Sequence, residues 1–267
     1  MPNTADWKPS SLIQILVYGK SKTGKTFGAY TFPRPVVMDF DKGVATVRNP
    51  DFVKRWGIRN FPYEQFTEKD VNTVGIVKTH NAFDDSCRFF DEWMKKKDQF
   101  DTWIIDSGTS LSEKAQAKAV IVMGGLKLSK THTEALREGI LIPKIQDYGS
   151  ERSLVEQFVT MILDSGKHVV FICHEKETVN EAGQLTGYTP LLTGKSTEAI
   201  PLKFDEVYRL RAFKQGMDIK RELTTHADGM SLVGSRYGVP DKSEWNYETI
   251  KKALDNLKSP AILAKPA

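Results

Sequence analysis

The run Gly19-Lys20-Ser21-Lys22-Thr23-Gly24-Lys25-Thr26 carries the densest chemistry in the chain. It fits G-x-x-x-x-G-K-[ST] at every fixed position. Glycines let such a backbone curl until successive N–H groups point inward as an anion nest, and a helix starting there adds positive potential. In this arrangement the Lys25 ammonium reaches the β- and γ-phosphates of a nucleotide, and the Thr26 hydroxyl completes a Mg²⁺ shell. Residues Gly19 to Phe27 are therefore the expected phosphate site, with ATP and Mg²⁺ as the expected cofactors.

Two acidic segments follow. Thr102-Trp103-Ile104-Ile105 delivers Asp106 at the end of an apolar run, where a carboxylate would hold Mg²⁺ opposite Thr26. Val36-Val37-Met38 leads to Asp39 and Asp41, two residues apart and so on one face of a strand. Asp41 is the candidate to orient the water that attacks the γ-phosphate. The plainer alternative is that both acids cap the turn before Gly43.

These residues need elements to hold them. Strand-sized apolar runs alternate with helical stretches, the pattern of an α/β fold with a mainly parallel central sheet flanked by helices. Ser11–Tyr18, Pro35–Phe40, Thr73–Thr79, Thr102–Ile105, His168–Cys173, Val207–Ala212 and Met230–Val233 are the expected strands. Ala82–Lys97, Arg152–Asp164 and Asn246–Leu257 have helical periodicity, as does the chain after Lys25, whereas Leu111–Gln146 reads as a long mixed segment. Glu175–Thr193 reads as a β-hairpin appendage with Glu181-Ala182-Gly183-Gln184 at its tip. In a parallel sheet of this kind His174 falls beside the phosphate loop. The expected organisation is an N-terminal tail (1–10), one domain (11–257) and a flexible C-terminal tail (258–267).

Composition narrows the classes. The chain has 267 residues, 40% hydrophobic and 27% charged, enough for one sizeable core. No apolar run reaches the ~20 residues of a membrane helix, and Met1–Ser10 does not read as a signal peptide. Only Cys87 and Cys173 occur, without metal-ligand spacing, so a disulfide scaffold is not expected and a cytoplasmic setting is. A net charge of +4 permits a polyanionic partner without requiring one.

The phosphate loop, Asp39-Phe40-Asp41, Ile104-Ile105-Asp106-Ser107 and the strand ending in His174 occur in the order of a RecA-type core. The Ile-Asp-Ser ending resembles the second acidic motif of RecA and RadA. The run Leu192-Thr193-Gly194-Lys195 with Lys203-Phe204-Asp205-Glu206-Val207-Tyr208-Arg209-Leu210 resembles phage-encoded RecA-like AAA-type nucleotide-binding proteins, a group that includes the Sak-type single-strand annealing recombinases. The resemblance covers about residues 10 to 240 and implies a RecA-like P-loop ATPase acting on single-stranded DNA in phage recombination or replication. It implies a homo-oligomer, ring or filament, possible work with a single-strand binding protein, and slow, DNA-stimulated hydrolysis. His174 would sense the γ-phosphate, and Arg236 would act in trans on a neighbour's nucleotide, with Arg209 and Arg211 as rivals. Asp41 stands where the group often has Glu, one methylene longer.

The same resemblance turns the segments after Asp106 and His174 toward DNA. The first carries Lys114, Lys118, Lys127, Lys130, His132, Arg137 and Lys144, and the second Lys176 and Lys195. Lys127, Lys130, Lys176 and Lys195 are the DNA-contact candidates, against the alternative of an ordinary solvated surface. Other classes share a phosphate loop. A small-molecule kinase would need an arginine-rich lid, and no such cluster is visible; a nucleotide-dependent interaction protein, such as a helicase loader, would need neither.

Overall fold

The computed structural model describes residues 10–48, 50, 53–54, 57–58, 60–67, 81–124, 145–216 and 218–257. The strand expected at Thr73–Thr79 lies outside them, as do the expected tails apart from Ser10. Among the described residues nine strands form one sheet. They are β1 (Gln14–Gly19), β2 (Pro35–Asp39), β3 (Tyr63–Gln65), β4 (Thr102–Asp106), β5 (His168–Val179), β6 (Leu185–Pro190), β7 (Glu206–Gln215), β8 (Asp218–Thr224) and β9 (Gly234–Ser235).

The main path runs β3-β2-β4-β5-β1-β7-β8, with β6 joined to β5 and β9 to β7. From β3 to β7 every neighbour on that path is parallel, and β6, β8 and β9 pair antiparallel. The strand bearing His174 thus lies between the phosphate-loop strand β1 and the acid-bearing strand β4.

The central strands read as unbroken apolar runs because both faces are buried, as parallel sheets require. Leu16, Tyr18, Met38, Trp103, Ile105 and Phe171 pack under α2 (Ala82–Met94), α3 (Gly108–Gly124) and α4 (Ile145–Leu163). Their neighbours Ile15, Val17, Val37, Ile104, Val170 and Ile172 face the other way, toward α1 (Lys25–Ala29) and α6 (Tyr247–Leu257). A short helix, α5 (Ser196–Ala199), follows the β5–β6 hairpin. The result is an α/β core with helices on both faces of a mostly parallel sheet.

Three local expectations change. The first part of the mixed segment is the continuous helix α3, which begins straight after Asp106-Ser107. Its apolar residues are spread around the helix rather than along one stripe, so no period shows in the sequence. Met230–Val233 is not a strand: the Asp228 carboxylate accepts from the N–H groups of Met230 (2.9 Å) and Ser231 (2.6 Å) and curls the chain. Only an isolated bridge from Ser231 to Tyr188 remains there, and β9 starts at Gly234. Finally, β3 and β8 form where no strand was expected, both at edges of the main path.

Candidate functional site

Parallel pairing gathers the carboxyl ends of the strands at one edge of the sheet. Gly19 of β1 stands opposite His174, Asp39 opposite Asp106, and Asp106 opposite Ile172. A cavity of about 990 Å³ opens there, bordered by Lys25, Thr26, Asp41, Asp106, His174 and Arg221.

The loop between β1 and α1 is held in the shape its glycines allow. Gly24 caps α1 with φ 99°, a left-handed conformation that a side chain would strain. The carbonyls of Gly19 and Lys20 both accept from Lys25 Nζ at 2.8 Å, and Lys20 O also accepts from the Thr23 hydroxyl at 2.9 Å. Ser21, Lys22, Gly24, Lys25, Thr26 and Phe27 border the cavity, whereas Gly19, Lys20 and Thr23 do not. Lys20 turns away to pair with Glu177 at 2.9 Å, so its side chain ties the loop to the β5–β6 hairpin instead of facing a ligand. Behind the loop, the buried Trp245 indole donates to Lys25 O at 2.8 Å.

Charge in the cavity is poorly solvated. Lys25 is 6% exposed, and burial pulls its pKa down to about 8 against the opposing attraction of Asp106. Asp106 is 4% exposed. Burial pushes its carboxyl up to about 6, opposed by a hydrogen bond from Thr26 and reinforced by the charges of Asp39 and Asp41. The Thr26 hydroxyl donates to Asp106 Oδ2 at 2.8 Å, bringing together the two groups expected around one metal.

The second acidic segment divides its labour. Asp39 is buried and caps the turn: its oxygens accept from the N–H groups of Asp41, Gly43 and Val44 at 2.8–3.2 Å and from Gln65 Nε2 at 3.1 Å. The capping alternative therefore describes Asp39. Asp41 instead faces the cavity, where its carboxylate meets Ser107 Oγ at 2.7 Å, His174 Nε2 at 3.0 Å and the Ser110 hydroxyl. Burial works to raise its pKa, but hydrogen bonds from His174, Ser110 and Ser107 prevail and hold it at about 2. Thr109, between the two serines, accepts from His174 N (3.0 Å) and donates to Leu191 O (2.8 Å), linking the strand end to the chain after β6. Ser107, Ser110 and Arg221 were missed in the sequence. Only the position of Ser107, directly after Asp106, could have pointed to one of them.

Other candidates lie elsewhere. Arg236 stands at the far end of the sheet from the phosphate loop: β9 pairs with the start of β7 beside Ile15, and Tyr237 bonds Leu12 O. Its guanidinium pairs with Asp205 at 2.5 Å, so it cannot serve the cavity of its own chain. Arg209 is 7% exposed, paired with Glu175 at 2.7 Å and stacked on Tyr188, which removes it as a rival. Arg211 is exposed. Lys118 is tied to Asp84 on α2 at 2.5 Å, while Lys176 and Lys195 are exposed. Lys127, Lys130, His132, Arg137 and Lys144 lie outside the described residues.

Fold and cavity together define a nucleotide-binding P-loop ATPase domain. Residues 12–237 match the family model described as AAA domain, and the chain belongs to that family. No curated protein matches it. Among solved structures it is similar to a KaiC-like protein from the hyperthermophilic archaeon Pyrococcus horikoshii OT3, with 13% identity and a TM-score of 0.40, over 80% of this chain and 78% of that one.

The family implies a nucleotide and usually Mg²⁺, and the residues fit both. A buried ammonium, a left-handed glycine and a helix start line one wall, as a polyphosphate needs. Among the described residues no cluster of three or more His, Cys, Asp or Glu could hold a metal alone. A single carboxylate with a single hydroxyl, as at Asp106 and Thr26, suits a Mg²⁺ that arrives on phosphate and keeps several waters.

Proposed function

We propose that this chain is a Mg²⁺-dependent ATPase that works on single-stranded DNA in phage recombination or replication, as an annealing or recombinase-type protein. The observation that carries the ATPase part is a single cavity edged by Lys25 and the Thr26–Asp106 pair at 2.8 Å, with Asp41 and His174 joined at 3.0 Å. Lys25 exchanges its bonds to the loop carbonyls for phosphate oxygens. Thr26 and Asp106 would hold Mg²⁺, whose charge would offset that of the phosphates. Asp41, ionised well below neutral pH, accepts a hydrogen bond from the attacking water. His174 reads the γ-phosphate through its contact with Asp41.

The DNA part rests on continuity. The strand that ends the site at His174 runs on into the β5–β6 hairpin carrying exposed Lys176, and the chain after β6 carries exposed Lys195. Thr109 bonds both His174 and Leu191, which gives the nucleotide state a route to that surface. Arg236, or the exposed Arg211, would complete the site of a neighbouring copy, so the working form would be a ring or filament in the cytoplasm, with a single-strand binding protein as a possible further partner.

ATP hydrolysis measured with and without single-stranded DNA, over a range of chain concentrations and salt, tests this reading. The expected result is a slow basal rate that DNA stimulates, with a rate per chain that rises with concentration. DNA affinity should fall by about 0.7 log units per log of salt for each phosphate contact. A rate indifferent to DNA and to chain concentration would overturn the DNA and assembly parts.

A further inference from the structure

We infer that Arg221 is the platform on which the base of the bound nucleotide rests. This deepens the ATP-site reading and depends on it.

Arg221 lies outside every motif-bearing segment, in the middle of β8 opposite Ala212 of β7. Leu223, two residues on and on the same face, is buried in the core, whereas Ile219 at the other end is exposed, so Arg221 stands where β8 enters the body of the fold. Arg221 Nε donates to Thr23 O at 3.1 Å. The side chain lies across Gly24: a Cβ there would come within 2.7 Å of Arg221 Nε and 2.9 Å of its Cδ. The bare glycine of the phosphate loop therefore doubles as the seat of the arginine. So held, the half-buried side chain borders the same cavity as Lys25 and Thr26.

Strand order says which part of the nucleotide Arg221 meets. On one side of β1 lie β5 and β4, with His174 and Asp106; on the other lie β7 and β8. Mg²⁺ and the γ-phosphate belong with the acids, toward β5 and β4. A nucleotide held by the loop after β1 then directs its nucleoside toward β8. A planar guanidinium anchored at Nε presents a flat cationic face, which stacks on any base without reading its edge.

Binding of ATP and of inorganic tripolyphosphate, each with Mg²⁺, to the full chain and to Arg221→Ala and Arg221→Lys separates the possibilities. Arg221→Ala should weaken ATP about tenfold and leave tripolyphosphate within about twofold. Arg221→Lys should not restore ATP affinity, because an ammonium lacks the plane. Equal losses for both ligands would overturn the inference, showing Arg221 to brace the loop or touch phosphate. Rescue by lysine, or unchanged ATP affinity in Arg221→Ala, would also overturn it. A wild-type chain that binds neither ligand would instead bring down the nucleotide reading itself.

Discussion

Asp106 and Lys25 are charged groups kept from water without full compensation inside the chain, and that condition is what a ligand relieves. An ordinary Asp loses its proton near ~4, whereas Asp106 in the folded protein keeps it to about 6. Between those values the native state binds more protons than the unfolded one, so this group lowers stability as pH rises through the window and adds nothing further above it. The ligand-free chain should therefore gain stability from Asp106 on going from pH 7 to pH 5, by about 1 kcal/mol. Asp106→Asn should remove that gain and raise the melting temperature at pH 7 while abolishing the Mg²⁺-dependent part of nucleotide binding. Melting curves of both proteins across pH check this, and parallel pH profiles would contradict it. The chemistry at Lys25, Thr26 and Asp106 was legible in the sequence because a phosphate loop and an acid-ending strand are local patterns. The three donors on Asp41 were not, because Ser107, Ser110 and His174 meet it only after β4 and β5 align.

At the scale of elements, α1 is short, and its placement depends on the chain's last helical region. Trp245, fully buried, lies against Gly28 and donates to Lys25 O, so a residue distant in sequence fixes the start of the helix that faces the phosphates. In an open helix Gly→Ala stabilises by roughly 0.5–1 kcal/mol. Here a Cβ on Gly28 would run into the Trp245 ring, so the sign should reverse: Gly28→Ala is expected to destabilise by about 1–3 kcal/mol. Denaturant midpoints measure this, and a stabilised variant would show that the contact yields. The central strands were readable because two-sided burial leaves a plain apolar run. β8 was not, since Lys220, Arg221 and Glu222 give its outer half the composition of a loop, and pairing with β7 makes it a strand. The same pairing hides Arg221: nothing in its neighbourhood marks it, and only the bare face of Gly24 gives it a role.

At the scale of the whole molecule, the six described strands that run parallel turn separate motifs into one site, and the same topology sets its limits. The cavity gathers at the carboxyl edge of the sheet, while Arg236 stands at the opposite edge, so a cation from that position can act only between copies. No helix among the described residues is long and apolar enough to cross a membrane. The hairpin and the chain beyond it project charged groups from the cavity's side, which is where a polyanion would have to bind to respond to nucleotide. All of this presupposes that the loop after β1 encloses a triphosphate. Calorimetric titration of Mg·ATP into the wild type and Lys25→Ala tests that presupposition most directly. Loss of the ammonium's charge-assisted hydrogen bonds should weaken binding by about a hundredfold or more with the fold unchanged; a variant that binds Mg·ATP as tightly as the wild type would contradict the account.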